Sequence, residues 1–191
     1  MTEWTDINYA VVDVEGNGQQ PPELVELAVV PVTDGNIDKP TSWLVRPPHP
    51  IRHFATSIHG IKTSDVADCP LIADIAPGVR HALDAPALVA HNAHVDVSVL
   101  ERELEGWKPP EVFDTLRLAK RLLPGLPSYK LGVIAERFGL ASGLPEELTP
   151  HRATYDALVT ARLFVHLAAR AGTLEELRGQ PPERAEEDAL F

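Results

Sequence analysis

Two acidic residues, Asp13 and Glu15, lie two positions apart early in the chain. They follow the run Tyr9-Ala10-Val11-Val12, whose aromatic and β-branched residues predict a strand that ends at Gly16-Asn17-Gly18. Side chains two positions apart on a strand point to one face, so the two carboxylates would project together. Buried acids need a nearby cation, and carboxylate oxygens suit Mg²⁺ or Mn²⁺. The pattern indicates a metal site or, equally well by itself, an exposed strand end with two solvated acids.

A third acid, Asp96, follows the predicted strand Ala87–Ala90 and the turn His91-Asn92-Ala93. Residues after the carboxyl end of a central strand lie where α/β folds bind ligands. We therefore expect Asp96 to lie near the first two acids. The dipole of the helix that begins here also favours an acid in the first turn, which is a sufficient structural explanation of this position.

The third element is a histidine followed five positions later by an acid, His151 and Asp156. The helix predicted over Ala153–Ala171 places Asp156 in an early turn and His151 in the preceding loop. The acid could bind metal while the histidine acts as a general base. Pro150 also marks a helix boundary, and a single histidine at such a position is more often structural than catalytic.

The predicted strands form two groups. The run Leu24–Val32 and the run Ser42–Arg46 follow the first strand at short intervals, and Asp34-Gly35 is a hairpin-turn signal. These three strands predict an antiparallel meander. A loop-rich segment follows to about residue 70, and the strands Ala87–Ala90 and Val112-Phe113 then alternate with helices.

Helical spacing of apolar residues completes the α/β pattern. The predicted helices cover Ile72–Leu83, Val95–Leu104, Thr115–Leu123, Leu131–Phe138, Ala153–Ala171 and Leu174–Leu177. The prediction is a central five-stranded mixed sheet flanked by α-helices. Residues 1–172 would form one domain, and residues 173–191 a short helix capped by Thr173 and a flexible acidic tail.

These motifs, in this order, resemble those of the DEDDh (DnaQ-like) 3′–5′ exonucleases, which have a ribonuclease-H-like fold. The resemblance covers residues 9–167 and includes two further segments typical of the family. The matching segments are Asp13-Val14-Glu15, His59-Gly60-Ile61, Asn92 to Asp96, Asp114-Thr115-Leu116, and His151 to Asp156.

The resemblance implies a two-metal hydrolysis of phosphodiester bonds at the 3′ end of single-stranded or short nucleic acid, releasing 5′-mononucleotides. Two Mg²⁺ or Mn²⁺ ions would be held by four carboxylates, and neutral His151 would activate the attacking water. The four carboxylates are those of Asp13, Glu15, Asp96 and Asp156.

The resemblance also implies residues around the terminal nucleotide. They are Gly16, Asn17, Ile58 and His59, with Asn92 orienting the turn before Asp96. A loop histidine bonded to backbone is the alternative interpretation of His59. The family's first motif usually continues Thr-Thr-Gly, whereas this chain has Gly16-Asn17-Gly18, and Val95 replaces an aromatic residue. Both departures leave the metal ligands intact and change the expected contacts with substrate.

Charge and composition restrict the functional classes. The net charge of −11 disfavours a protein that binds long duplexes through a basic surface. Either the partner is short or single-stranded DNA or RNA, or bound cations supply the positive charge that the protein lacks. A single cysteine, Cys69, excludes an intramolecular disulfide and favours a cytoplasmic location. The sequence contains no apolar run close to the ~20 residues that are needed to cross a bilayer, so no membrane partner is expected.

Several interpretations remain open at this stage. The alternative function is a catalytically silent nucleic-acid-binding or polymerase-accessory module on the same fold. Glu26 could support the metal site or face outward, and Asp114 could cap the helix at Thr115. A homodimer is an open alternative to a monomer, and the C-terminal residues Glu187–Phe191 faintly resemble peptides that dock on bacterial sliding clamps.

Overall fold

The fold is built on one mixed sheet, and a computed structural model describes residues 2–179 of the chain. The six strands are β1 (Tyr9–Gly16), β2 (Leu24–Thr33), β3 (Asn36–Ile37), β4 (Thr41–Leu44), β5 (Ala87–Ala90) and β6 (Glu111–Asp114). Their order is β3-β2-β1-β5-β6, and β4 pairs with another part of β2. β1 is antiparallel to β2 and parallel to β5, which is parallel to β6. The predicted mixed α/β class is confirmed.

Helices cover the sheet. Within the described residues they are α1 (His53–His59), α2 (Ile72–Ala82), α3 (His94–Glu103), α4 (Thr115–Leu122), α5 (Leu131–Phe138), α6 (Ala153–Ala171) and α7 (Leu174–Arg178). The 19-residue helix α6 packs against both β1 and β2. It begins at the residue that its apolar spacing and the preceding Pro150 predict.

The two faces of β1 enter different apolar cores. Val11 packs into the core that includes α6, and Val12 packs into the core that includes α2 and α3. Because side chains alternate along a strand, Asp13 and Glu15 share the face of Val11 and point toward α6. The strand pattern thus places both acids on the side of the sheet where Asp156 lies.

Two short elements differ from the sequence prediction. The two-residue strand β3 makes the sheet six-stranded instead of five-stranded. Helix α1 occupies part of the segment expected to be loop-rich, and it buries only Ala55 and His59. So few buried positions give no clear helical periodicity, which explains why the sequence pattern did not reveal this helix.

The described chain ends just after α7. Thr173 caps this helix as predicted, accepting a hydrogen bond of 3.2 Å from the Glu176 N–H. Leu174 and Leu177 are buried in the core that contains α6. Residues 180–191, including the clamp-like peptide, lie outside the described residues, and the division at residue 172 stays a prediction. Between residues 2 and 179, no helix has the length and apolarity to cross a membrane.

Candidate active site

Three carboxylates meet at the carboxyl end of β1. Oxygen atoms of Asp13, Glu15 and Asp156 all lie within 4.8 Å of one another. The strand alternation directs the first two toward α6, and the first turn of α6 supplies the third. The structure therefore brings together residues that are more than 140 positions apart in the sequence, as the family resemblance implied.

The electrostatics of this group favour a cation. Burial and then the negative charges of Asp96, Asp156 and Glu15 raise the pKa of Asp13 well above its ordinary value. Burial and neighbouring acids raise the pKa of Glu15 to about 8. Burial also raises the pKa of Asp156, although His151 acts in the opposite direction. Crowded hard oxygen donors of this kind fit a divalent cation, whose charge would remove their mutual repulsion.

Asp96 lies beside this group. Its side chain is buried, and its Oδ1 accepts a hydrogen bond of 3.1 Å from the Val14 N–H. Burial raises the pKa of Asp96 to about 7, and Asp96 is the charge that most raises the pKa of Asp13. Among the described residues, the oxygens that lie within 4.8 Å of one another do not include those of Asp96. The position of Asp96 therefore suits a contact with a cation through a water molecule, or a contact from one side of the site only.

His151 stands at the mouth of the site. Its backbone has a φ of 63°, an uncommon left-handed conformation for a residue other than glycine. Its N–H donates to the Asp156 Oδ2 at 3.2 Å, and the residue is exposed. His151 and Asp156 both line a cavity of about 1080 Å³. The histidine is thus next to a carboxylate of the site and accessible from solvent.

Glu26 fixes the start of α6. It pairs in register with Glu15 on the neighbouring strand, and it is buried, which excludes the outward-facing alternative. Its carboxylate accepts two hydrogen bonds from the Arg152 guanidinium, at 3.0 and 2.7 Å, and one from the Ala153 N–H at 2.9 Å. Glu26 therefore ties β2 to the residues that flank His151 and Asp156. Arg152 was not predicted as a functional residue, although it directly follows the motif residue His151.

The loop after β1 is organised by Asn17. The Asn17 side chain is fully buried; it donates to the Glu23 carboxylate at 2.7 Å and accepts from the N–H groups of Gln19 and Glu23 at 3.1 Å. Its donors and acceptors are directed at this loop, so a contact with substrate would require the loop to open. The observed bonds favour a role in shaping the loop, and the predicted substrate contact stays a prediction.

His59 connects α1 to the same loop. The Ile61 N–H donates to its Nδ1 at 3.1 Å, so Nε2 carries the proton and donates to the Gly16 carbonyl at 3.2 Å. Both bonds join His59 to backbone groups, as expected if His59 is a structural loop histidine. Ile58, the preceding residue, is exposed and remains available for a substrate contact.

The turn before Asp96 is held by backbone groups. Asn92 has a φ of 67°, its N–H donates to the Asp114 Oδ1 at 3.0 Å, and its carbonyl accepts from Val95. The same Asp114 oxygen accepts from the Leu116 N–H at 2.9 Å, so the predicted cap of α4 is confirmed. Asn92 lines the cavity that also contains His151.

A mixed sheet with a carboxylate cluster of this kind is typical of nucleases that depend on a divalent metal. The chain matches the exonuclease family over residues 10–164 and belongs to that family. It is an enzyme of the DEDDh, DnaQ-like group of 3′–5′ exonucleases, as the motif order implied. These findings favour the enzyme over the catalytically silent module.

Similar proteins support this assignment. The chain is 37% identical to Exodeoxyribonuclease 10 of Escherichia coli strain K12 over 175 residues, which are 90% of this chain and 75% of that protein. A solved structure of exonuclease X in complex with 5′ overhanging duplex DNA has a TM-score of 0.74 and 37% identity, covering 88% of this chain and 96% of that one.

Two further matches are partial or more distant. The chain is 32% identical to the 3′–5′ exonuclease DinG of Bacillus subtilis strain 168, covering 91% of this chain but 18% of that protein. The nuclease domain of 3′hExo, a DEDDh family member bound to rAMP, has a TM-score of 0.71 at 18% identity, covering 90% of this chain and 96% of that one. This last likeness concerns the fold.

Proposed function

We propose that the protein removes nucleotides from the 3′ end of single-stranded or frayed DNA and releases 5′-mononucleotides, using two Mg²⁺ or Mn²⁺ ions. The observation that carries the proposal is the convergence of the Asp13, Glu15 and Asp156 oxygens beside His151. The similarity to Exodeoxyribonuclease 10 supports DNA as the substrate class, although RNA ends have the same reactive phosphodiester.

The four acids have different parts in this proposal. Asp13, Glu15 and Asp156 form the shared oxygen cluster, and Asp96 is anchored to the β1 backbone through the Val14 N–H. Divalent cations bound here supply positive charge that stabilises the attacking and departing oxygens of the phosphodiester. The hydrogen bond from the Val14 N–H to Asp96 and the bonds of Glu26 to the start of α6 position the acids before substrate arrives.

His151 is the general base in this proposal. Its exposed ring lies on a loop beside Asp156, so it can reach a water molecule at the scissile phosphate without moving a helix. A neutral imidazole accepts the proton of that water as the oxygen attacks phosphorus. The left-handed backbone at His151 places it at the mouth of the site.

Substrate selection follows from charge and shape. A net charge of −11 disfavours the binding of a long duplex through a basic surface, so the reactive end is the part of the substrate that the protein recognises. Gly16 directly follows Glu15, and the exposed Ile58 directly precedes His59, which bonds to the Gly16 carbonyl, so both would contact the terminal nucleotide. A homodimer and docking on a sliding clamp stay predictions, and the clamp-like peptide lies outside the described residues.

Product analysis with DNA and RNA oligonucleotides tests this function. In the presence of Mn²⁺ or Mg²⁺, the wild-type protein should release 5′-mononucleotides from the 3′ end of a 5′-labelled DNA strand. Asp13→Ala should abolish the release, whereas Asp38→Ala, which removes an exposed acid after β3, should retain it. Full activity of Asp13→Ala would show that the carboxylate cluster is not the active site.

A further inference from the structure

A second cavity lies along one edge of the sheet, and its lining does not include the four acids of the candidate active site. Its volume is about 790 Å³, and all four residues of β6 line it. Helix α3 contributes side chains such as Val97, and α4 and α7 contribute others. Because α3 packs into one apolar core and α4 and α7 into the other, these helices lie on opposite faces of the sheet. The cavity is therefore a groove along the edge of β6, and we call it the β6 groove.

The main chain of β6 has an open side in this groove. Within the described residues, β6 is the last strand in the sheet order and pairs with β5 alone. Among residues 2–179, the backbone hydrogen bonds outside helices and strands do not involve Glu111, Val112 or Phe113. An open sheet edge is a template for a further strand, and Val112, which is 38% exposed, adds an apolar side chain to it. The groove therefore suits an extended peptide.

Three arginines give the groove an excess of positive charge. Its charged lining consists of Arg117 and Arg121 of α4, Arg178 of α7, and the two acids Glu111 and Asp114. Arg178 donates two hydrogen bonds of 2.8 Å to Glu111, whereas Arg117 is 86% exposed and lies 3.8 Å from Asp114. Arg121 donates to two carbonyl groups of α7 and has no acidic partner in the described part of the chain. In a chain of net charge −11, this excess favours an acidic peptide as the occupant.

The chain itself has an acidic segment that starts beside this groove. Arg178 lines the groove and Gly179 is the last described residue, so residues 180–191 continue from the wall of the groove. The segment contains four acids and one arginine before the apolar residues Leu190 and Phe191; the acids are Glu183, Glu186, Glu187 and Asp188. At ~3.3 Å per residue it can reach about 40 Å, whereas a strand of four residues needs about 13 Å. Its length and its charge therefore fit the groove.

A second copy of the protein fits the same edge less well. Antiparallel pairing of two β6 strands in register would place the acids at the two ends of the strand, Glu111 and Asp114, opposite each other. Like charges directly opposite in a sheet are destabilising. The acidic segment avoids this arrangement, because its acids can lie beside the arginines of α4.

We infer that the segment 183–191 binds the β6 groove of its own molecule as an added strand, in place of the free tail that its composition predicts. The acids of the segment lie beside Arg117 and Arg121, and its apolar residues lie beside Val112. The bound segment covers the sheet edge and keeps it from pairing with another chain. The inference concerns a surface outside the active site and does not rest on the proposed function.

Hydrogen–deuterium exchange of the full chain and of a variant that ends at Gly179 tests this inference. The shortened variant keeps every described residue. Its amides in Glu111–Phe113 should exchange several-fold faster than those of the full chain, because the added strand no longer protects them. Strand β4 is the matched control, since it pairs only with β2, and its exchange should stay the same. Equal exchange of β6 in the two proteins, or an increase at β4 as large as that at β6, would overturn the inference.

A synthetic peptide of residues 180–191 separates the sequence of the segment from its charge. Added to the shortened variant, it should restore the protection of β6, whereas a peptide of the same composition in scrambled order should not. In the full chain, Arg117→Gln should speed the exchange of β6, because it removes an exposed charge from the groove. Lys39→Gln removes an exposed lysine between β3 and β4 and should leave that exchange unchanged. Protection of β6 that increases with protein concentration would assign the groove to a second copy and overturn the inference.

Discussion

Two glutamates at matching positions of β1 and β2 show how differently a buried acid can be used. Glu15 and Glu26 are partners in the register of the two strands. Glu26 is neutralised by the Arg152 guanidinium, whereas burial and neighbouring acids raise the pKa of Glu15 to about 8. The charge of Glu26 stabilises the fold through its bonds with Arg152. A negative charge on Glu15 destabilises the folded protein unless a cation is bound beside it, and that cation is what the site requires.

The raised pKa values predict how stability depends on pH. Because the folded, metal-free protein holds protons on Glu15 and Asp96 up to pH values near 8 and 7, it binds more protons than the unfolded chain above about pH 4. Its stability should therefore fall as pH rises through that window. Mn²⁺ binds the deprotonated acids, so its stabilising effect should grow over the same window.

Thermal unfolding with EDTA or Mn²⁺, at several pH values from about 5 to about 8, measures both trends. Glu15→Gln should weaken the pH dependence of the EDTA samples, since its amide does not titrate. The contribution of Glu15 is misassigned if the Glu15→Gln variant and the wild-type protein lose stability equally with rising pH.

At the scale of elements, the connection between β2 and the start of α6 supports the site. Glu26→Gln removes the charge that receives Arg152 and weakens the bond to the Ala153 N–H. We expect a loss of about 1–3 kcal/mol of stability, toward the lower end because Arg152 is partly exposed. We also expect a lower kcat, because Asp156 and His151 depend on this helix start.

Chemical denaturation and steady-state kinetics measure the two effects. Glu111→Gln is the matched control, because it breaks a similar paired contact with Arg178 between two partly exposed side chains. That control should lose less than about 1 kcal/mol and keep its kcat. Equal kinetic effects in both variants would contradict a special role for Glu26.

The loop after β1 depends on a glycine that touches α1. Gly18 has a φ of 78°, and a Cβ there would lie 3.1 Å from the Ala55 Cβ. Gly18→Ala should cost about 1 kcal/mol or more and displace α1 with Ile58, raising KM. Gly143→Ala controls for backbone conformation, because Gly143 also has a positive φ, 73°, but open space around it. If Gly18→Ala leaves KM at the wild-type value, α1 does not shape the substrate site.

The elements were predicted to the extent that their own residues determine them. Helix α6 was predicted with its bounds, because its apolar spacing and Pro150 are local signals. The acids of β1 were predicted to share a face, because the period of a strand is fixed. The bond between Glu26 and Arg152 joins residues 126 positions apart, and no spacing rule reveals it. Helix α1 was missed because its two buried residues leave little pattern.

At the scale of the whole molecule, the net negative charge of −11 disfavours the binding of a long duplex through a basic surface. We therefore expect faster release of nucleotides from single-stranded DNA than from the blunt end of a long duplex. Initial rates on the same labelled strand, alone and annealed to its complement, measure this preference. Equal or faster hydrolysis of the blunt duplex would contradict it.

The register of β1 has a consequence for insertions and deletions. Asp13 and Glu15 face α6 because they are an even number of residues from Val11. Removing one residue from β1 before Asp13 while keeping the pairing with β2 would turn both carboxylates to the opposite side of the sheet. Such a chain would keep every motif residue and still lack the carboxylate cluster. The register of β1 is therefore as necessary to the active site as the identity of the acids.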